Sequence, residues 1–207
     1  MNTRALTKRT IKNIVLLLIL PVFFLYWITS RGGQSDGVFQ SYSQVLSLLP
    51  GKTGVYIRAA FYRLATTGTS DEISIGFLTI LSHRDTTISR GVYVGPQSNI
   101  GKCSIGENTL LGSGVHILSG NQQHDFSRVD CTIQEQPGIF KKIKIGQDCW
   151  LGNSSVILVD VADRSVIAAG SICVKTIDAP GSIFAGNPAK LIRNRLLAEQ
   201  DHEKPLT

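Results

Sequence analysis

An aliphatic residue recurs at about every sixth position between Ile73 and Ile183, and a small residue often follows it directly. The repeat is clearest over 105–117 and 145–157, on either side of a polar stretch. A period of six is typical of a parallel β-helix, in which each hexad forms a short strand and three hexads complete a triangular coil. A β-sandwich or barrel would instead alternate with a period of two. The pattern therefore predicts an all-β domain over 73–186, wound as a parallel β-helix.

Glycine directly follows the aliphatic residue at several bends of this repeat. We expect glycine there because it lacks the Cβ that would clash in unusual backbone conformations. These glycines are Gly95, Gly101, Gly106, Gly112, Gly146 and Gly152. Stacked coils would then bury one continuous aliphatic column along the axis.

The N-terminal segment 1–66 contains an uncharged apolar run at 14–29. With the residues from Ile11 included, the run just reaches the roughly 17 to 25 residues that cross a bilayer. Basic residues before it favour an N-terminus inside, which for a single crossing would place the rest of the chain outside the cytoplasm. Pro21 can kink a helix, so a re-entrant hairpin is a further hypothesis. A cleaved signal peptide is the alternative.

Apolar residues continue at helical spacing over 38–64, with a break at Pro50. This spacing predicts amphipathic helices. Two placements are open for them. They could pack against the first coil of the β-helix, or they could lie in a membrane interface with Arg58 and Arg63 on lipid phosphates.

The basic excess of the chain belongs to its N-terminal third. Residues 1–66 contain eight Lys or Arg and a single acidic residue, Asp36, whereas the remainder is close to neutral. This distribution argues against nucleic acid as a partner of the β-helix and favours an anionic membrane surface. The cysteines show neither a CxxC pair nor zinc-like spacing, so free thiols are expected, which weakly favours a reducing compartment.

A polar loop over 119–142 interrupts the hexads. A loop of this length in a compact repeat is usually functional. It carries His124, and an imidazole held against a hydroxyl can take its proton because it titrates near neutrality. A solvated surface histidine is the alternative for His124. His116 competes for the role of base, whereas we expect His83 to be structural.

Three segments, 143–157, 166–175 and 185–193, resemble the hexapeptide-repeat acyltransferases, and the last includes Ala-Gly-Asn-Pro-Ala-Lys. The similarity covers 73–195 and is greatest to the maltose, galactoside and nodulation O-acetyltransferase branch, with its polysaccharide-modifying relatives. The resemblance implies a left-handed β-helix, a homotrimer with active sites between subunits, and acetyl-CoA as co-substrate. No metal is implied.

The resemblance also implies roles for individual residues. His124 would be the general base on the acceptor hydroxyl. The positions that match acetyl-CoA contacts are Trp150 and Asn153 near the thioester, Ala169, Gly170 and Ser171 along the pantetheine arm, and Lys175, Lys190 and Arg193 near the nucleotide. Each basic residue could instead be a solvated surface charge.

We therefore expect an O-acetyltransferase that acetylates a sugar or cell-envelope polysaccharide precursor directly, without a covalent acyl-enzyme. It would associate with the membrane, with the catalytic domain on the cytoplasmic side. A serine- or antibiotic-type acetyltransferase and an inactive β-helix scaffold are the alternatives. A γ-type carbonic anhydrase would need three zinc-ligating histidines, for which the expected spacing is absent.

Residues 187–207 are expected to form a short C-terminal tail or helix.

Overall fold

The computed structural model describes residues 3–198, so residues 199–207 of the expected C-terminal extension lie outside it. Three helices come first: α1 (Thr3–Thr29), α2 (Asp36–Ser47) and α3 (Gly51–Ala65). Helix α2 is capped by Ser35, whose side chain accepts a hydrogen bond from the Val38 backbone N–H and so satisfies one free donor of the first turn.

Short strands follow, most of them two residues long. They are β1 (Ser74–Ile75), β2 (Ile80–Leu81), β3 (Thr87–Ile88), β4 (Tyr93–Val94), β5 (Asn99–Ile100), β6 (Cys103–Ile105), β7 (Leu110–Leu111), β8 (His116–Ile117), β9 (Ile143–Ile145), β10 (Trp150–Leu151), β11 (Val156–Ile157), β12 (Val166–Ile167), β13 (Ile172–Cys173), β14 (Ser182–Gly186) and β15 (Ala189–Asn194). A 3-10 helix (Ile133–Glu135) lies between β8 and β9, and α4 (Arg195–Ala198) ends the described chain.

The strands form three sheets, which are the three faces of a triangular prism. The first face contains β1, β4, β7, β10, β12, β14 and β15, the second β2, β5, β8, β11 and β13, and the third β3, β6 and β9. All neighbouring strands are parallel except the pair β14 and β15. The prediction of a parallel β-helix is confirmed, and the architecture fits a left-handed coil.

The core is a set of aliphatic columns along the prism axis. In each two-residue strand the second residue is buried and the first points outward. On the first face the buried column consists of Ile75, Val94, Leu111, Leu151 and Ile167, each 0% exposed. Full burial of such a side chain contributes roughly 1.5 to 3 kcal/mol, so the column is the main source of stability in the coils.

The glycines at the bends are needed for a different reason from the one expected. None of the six has a positive φ; the left-handed conformation falls instead on later corner residues such as Gln97, Asn108 and Ser154. A Cβ on Gly106 would lie 2.5 Å from the Gln147 backbone nitrogen of the next coil. Glycine is therefore required by the close approach of stacked backbones.

The three helices cover the N-terminal end of the prism. The Ser43 hydroxyl of α2 accepts a hydrogen bond of 2.8 Å from the Leu81 backbone N–H, and the Leu78 N–H donates to the Ser47 carbonyl. An open β-helix end would present unpaired strand edges. The packing alternative for α2 and α3 is thus the correct one, because these helices close that end.

Arg58 of α3 is fully buried beneath this cap. Its guanidinium donates hydrogen bonds to the carbonyls of Ile75 (3.0 Å), Leu46 (3.0 Å) and Leu49 (2.7 Å). Burial lowers the pKa of this side chain. Arg58 joins the end of α2 to the first coil, so the alternative that placed this residue on lipid phosphates is excluded by its burial.

Helix α1 is continuous from Thr3 to Thr29 and does not reverse at Pro21. The hypothesis of a re-entrant hairpin is therefore wrong. By length and composition the part Ala5–Thr29 is apolar enough to cross a membrane. One side of α1, however, packs on α3, and Lys12 near its start is paired with Glu72 of the first coil at 2.6 Å.

The C-terminal end is closed by a β-hairpin, which the sequence analysis did not foresee. β15 pairs with β14 in antiparallel fashion, so residues expected in a tail form the last strand of the first face. Only the short helix α4 follows within the described range.

Replacing Arg58 with Met should lower the free energy of unfolding by about 3 to 5 kcal/mol, because the buried carbonyls of Ile75 and Leu46 and the partly buried carbonyl of Leu49 lose their donor. The matched control is Arg63→Met, since Arg63 is 43% exposed and lies 3.9 Å from Asp71. That change should cost less than about 1 kcal/mol. Urea unfolding followed by circular dichroism measures both; equal losses would contradict the role assigned to Arg58.

Gly106→Ala should destabilise the β-helix by about 1 to 3 kcal/mol, because the new methyl group overlaps the backbone of the next coil. The comparison is Gly114→Ala, where φ is +66° but the nearest atom to a Cβ is the Ser154 hydroxyl at 3.3 Å. Left-handed strain alone should cost about 1 kcal/mol there. A larger loss at Gly114 would refute the stacking argument.

Candidate active site

The polar loop leaves the second face after β8 and returns to the third face at β9. Its two arms are joined by backbone hydrogen bonds from Lys141 to the Ser119 carbonyl (2.9 Å), from Ile139 to that of Gln122 (2.7 Å), and from Asp125 to that of Pro137 (3.1 Å). The loop is therefore an ordered excursion with a fixed base.

A buried glutamine holds the outer part of this loop. The Gln136 amide accepts a hydrogen bond from the Arg128 N–H and donates one to the Arg128 carbonyl, both at 3.0 Å. The 3-10 helix nearby begins with a capping box between Thr132 and Glu135. These bonds fix the loop internally, so its histidine occupies a defined position.

His124 lies on the first arm, between the backbone groups of Gln122 and Asp125 that bond to the second arm. Its side chain is exposed and makes no hydrogen bond within the described chain. An exposed neutral imidazole with a free ring nitrogen can accept a proton from a bound hydroxyl. The structure places His124 at the edge between the second and third faces.

A polar cleft of about 500 Å³ lies beside the loop, along the second face. It contains His116 of β8 and His83, which follows β2. The His83 Nδ1 is 2.9 Å from the Ser82 hydroxyl, and the His83 ring is 5.5 Å from that of Phe140. The cleft also includes Gln123, although its lining does not include the neighbouring His124.

Several polar residues of this cleft were missed in the sequence analysis. They are Asp36 and Gln40 from α2, and Asn99 from β5. The hexad spacing contained a signal for one of them, because Asn99 and His116 occupy the same outward position of successive coils and are paired in register. The contribution of α2 had no such signal, since it depends on how the cap is packed.

The structure brings three of the expected donor-binding residues together. Asn153, Ala169 and Gly170 are exposed at the edge between the first and second faces, in successive coils. The Gly170 N–H donates to the Asn153 carbonyl at 2.8 Å, and the Asn153 side chain accepts a hydrogen bond from the Ser113 N–H. Small side chains at this edge leave room for a ligand close to the backbone.

The other expected donor-binding residues are more dispersed. Ser171 is buried, and its hydroxyl accepts a hydrogen bond from the Gly186 N–H at 3.1 Å, so it supports the C-terminal hairpin. Trp150 is exposed on the first face. Lys190 and Arg193 are exposed on β15, whereas Lys175 lies after β13, at the edge between the second and third faces.

The candidate base and the candidate donor-binding residues therefore lie on opposite borders of the second face. Asn153, Ala169 and Gly170 lie on one border, and the loop with His124 leaves from the other. A single chain does not bring His124 together with this edge in the part of the protein that the structure describes. A site that uses both groups needs a second copy of the chain.

Three cysteines are buried in the core of the β-helix. Burial raises the pKa of Cys103 to about 12 and that of Cys173 to about 11, and it also raises the pKa of Cys149. These thiols remain protonated at neutral pH and are poor nucleophiles. Cys131, on the loop, is half-buried.

The comparisons with known proteins agree with this architecture. Residues 142–173 match the family model of the hexapeptide repeat of succinyl-transferase. A probable macrolide acetyltransferase from Lysinibacillus sphaericus is 34% identical over 121 residues, which cover 52% of this chain and 66% of that protein. The chain thus matches slightly less than two thirds of this relative's length.

Two solved structures share the fold. A maltose O-acetyltransferase from Clostridium difficile 630 has a TM-score of 0.64 and 18% identity, covering 75% of this chain and 85% of that chain. A galactoside acetyltransferase in complex with coenzyme A has a TM-score of 0.57 and 20% identity, covering 79% and 82%. In its repeat, its coil architecture and these comparisons, the chain is similar to the hexapeptide-repeat acyltransferases.

Proposed function

We propose that this protein is an acetyl-CoA-dependent O-acetyltransferase that modifies a hydroxyl of a sugar or cell-envelope polysaccharide precursor. The observation that carries the proposal is the arrangement on the second face: an ordered loop presents an exposed imidazole at one border, and a row of small residues leaves the backbone accessible at the other. A base and a donor groove are the two parts that acyl transfer to a hydroxyl requires.

The donor groove is proposed to follow the edge at Asn153, Ala169 and Gly170. The pantetheine arm of acetyl-CoA is narrow and carries amides, so it suits an edge where small residues expose backbone donors and acceptors. Lys190 and Arg193 of β15 provide cations for the nucleotide phosphates, whereas Lys175, on the opposite border, would reach this groove only from a neighbouring subunit. Trp150 offers an exposed aromatic surface beside this groove.

In the proposed reaction, His124 accepts the proton of the acceptor hydroxyl as that oxygen attacks the thioester carbonyl. A backbone N–H of the groove stabilises the oxyanion. The imidazolium of His124 then returns the proton to the departing thiolate, so that the C–S bond is replaced by an ester C–O bond. Transfer is proposed to be direct; the three core thiols are buried and protonated, so they do not compete as nucleophiles.

The acceptor is proposed to occupy the polar cleft. Asp36, His83, Asn99 and His116 give it donors and acceptors for hydroxyl groups, and the Phe140 ring can stack on a sugar face. Its volume of about 500 Å³ is within the usual range for small-molecule sites.

The complete site is proposed to form between subunits of a homotrimer. Phe126, Val129 and Ile139 of the loop are exposed apolar side chains, at 74%, 99% and 63%. Their burial against another copy would be favourable and would bring His124 to a neighbouring donor edge. The N-terminal cap is proposed to hold the trimer at the cytoplasmic face of the membrane, where acetyl-CoA is available.

An antibiotic acetyltransferase is the second candidate, because the macrolide relative is 34% identical. A coenzyme A release assay with macrolides and with cell-envelope sugar precursors, using the membrane-reconstituted chain, distinguishes the two. Release with sugars alone supports the proposal. Release with macrolides alone selects the second candidate, and no release with any acceptor supports an inactive scaffold.

His124→Ala should reduce the rate of transfer by about two to four orders of magnitude, the usual range for a lost general base. Acetyl-CoA binding, measured by calorimetry, should be unchanged. His116→Ala is the matched control and should mainly raise the KM for the acceptor. If His116→Ala loses turnover while His124→Ala keeps it, the base is His116 instead.

Two inactive variants should restore activity when they are combined. His124→Ala removes the base, and Ala169→Trp fills the donor edge, so each homotrimer is inactive. Random mixed trimers should have about one quarter of their sites intact, because each site takes one part from each of two subunits. The control mixes His124→Ala with the double variant and should stay inactive; no recovery in the first mixture contradicts a shared site.

A further inference from the structure

Helix α1 is attached to the folded domain along its inner side. Lys12, Ile19 and Tyr26, spaced seven residues apart, are all buried, and Tyr26 is only 1% exposed. Lys12 is paired with Glu72 at one end, and the Tyr26 ring lies 5.4 Å from that of Phe61 at the other. These contacts span about 21 Å of helix, so α1 lies lengthwise on the cap.

The outer side of the same helix is apolar and uncovered. Leu18 is 72% exposed, and Ile28 is 66% exposed. The residues of this outer side follow one another at intervals of one or three residues, and all of them are apolar: Ile14, Leu17, Leu18, Pro21, Phe24, Leu25 and Ile28. An exposed apolar surface of this extent marks a contact with a membrane or another protein.

A spanning orientation does not fit the contacts of the inner side. If α1 crossed a bilayer, α3 with Arg63, and the first coil with Asp71 and Glu72, would be carried into the hydrocarbon region. Polar and charged groups are costly there. If α1 lies in the membrane plane, only its outer side enters the lipid.

The charge beside α1 indicates which kind of surface it meets. A cleft of about 690 Å³ between α1, α3 and the first two coils is lined by four cations and a single carboxylate, Glu72. The cations are Lys8, Lys12, Lys52 and Arg90. Lys52 and Arg90 make no ion pair within residues 3–198. Such an excess of positive charge attracts anionic lipid phosphates.

We infer that α1 is an interfacial helix, which lies in the plane of an anionic membrane with its outer side among the acyl chains. Interfacial helices of this kind pair an apolar side with nearby basic residues. The inference deepens the membrane association proposed above and does not depend on the transfer reaction. It also removes the topological difficulty, because a helix that does not cross leaves the β-helix on the side where it was made.

Co-sedimentation of the full chain with vesicles tests the surface. Leu18→Glu combined with Leu25→Glu should weaken binding at least about tenfold, because two exposed apolar side chains leave the lipid. Ile192→Glu with Leu197→Glu is the matched control, since these residues are 62% and 64% exposed at the opposite end of the β-helix, and it should bind normally. Thermal melting should be unchanged in both pairs. Equal binding by the two pairs, or no binding by the wild-type chain, would overturn the inference.

Vesicle composition tests the charge preference. Phosphatidylglycerol-containing vesicles should bind the chain more tightly than pure phosphatidylcholine, by about fivefold for each cation that acts near the surface. Lys52→Ala with Arg90→Ala should remove much of this difference, whereas Lys144→Ala with Arg164→Ala should not. Equal affinity for both vesicle types would refute the assignment to an anionic surface.

Cysteine labelling distinguishes a helix in the membrane plane from one that crosses. The chain carries Cys131→Ser and either Thr7→Cys or Arg31→Cys, at opposite ends of α1; the remaining native thiols are buried. An impermeant maleimide should label both positions in inside-out membrane vesicles and neither in intact cells. Labelling of the two ends from opposite sides would show a spanning helix and overturn the inference. The labelling and vesicle results do not depend on acetyl transfer, so they test the position of α1 separately from the proposed function.

Discussion

The coils of this protein lie one strand spacing apart, about 4.8 Å, and the rest of the structure depends on that contact. The spacing aligns inward side chains such as Val94 and Leu111 in columns that exclude water. It leaves no room for a Cβ at Gly106. It also aligns outward residues in rows, so that Asn99 and His116 become neighbours although they are distant in sequence. The arrangement of side chains in the core and on the surface thus follows from the spacing between coils.

The same stacking tolerates a long insertion without a loss of register. After the loop of 119–142, β9 pairs with β6 as the next coil requires, with Ile143 opposite Cys103 and Ile145 opposite Ile105. The loop carries no part of the core, so its own hydrogen bonds, including those of Gln136, must hold its shape. Candidate chemistry is therefore concentrated at the borders of the prism, where the coil can vary at little cost to stability.

A helical cap closes the N-terminal end of the β-helix, and a β-hairpin closes the C-terminal end. The helical cap also has a consequence for function. The helical cap satisfies the first coil through Arg58 and Ser43, and it fixes one side of α1 to the protein. What remains of α1 is an apolar outer side. A segment that the sequence alone makes a candidate for crossing a membrane is, in the folded chain, available to lipid on one side only.

The sequence by itself determined the repeat, the parallel coil, the loop at 119–142 and its histidine, because a short period and its interruption are local patterns. Tertiary structure decided the rest. The helical pattern of 38–64 left packing and lipid contact equally open until the burial of Arg58 excluded lipid there. The hairpin of β14 and β15, the hydroxyl of Ser171 and the cleft that joins Asp36 to His116 depend on contacts between distant segments. Such contacts have no period in the chain, since they arise only when the coils and the cap are stacked.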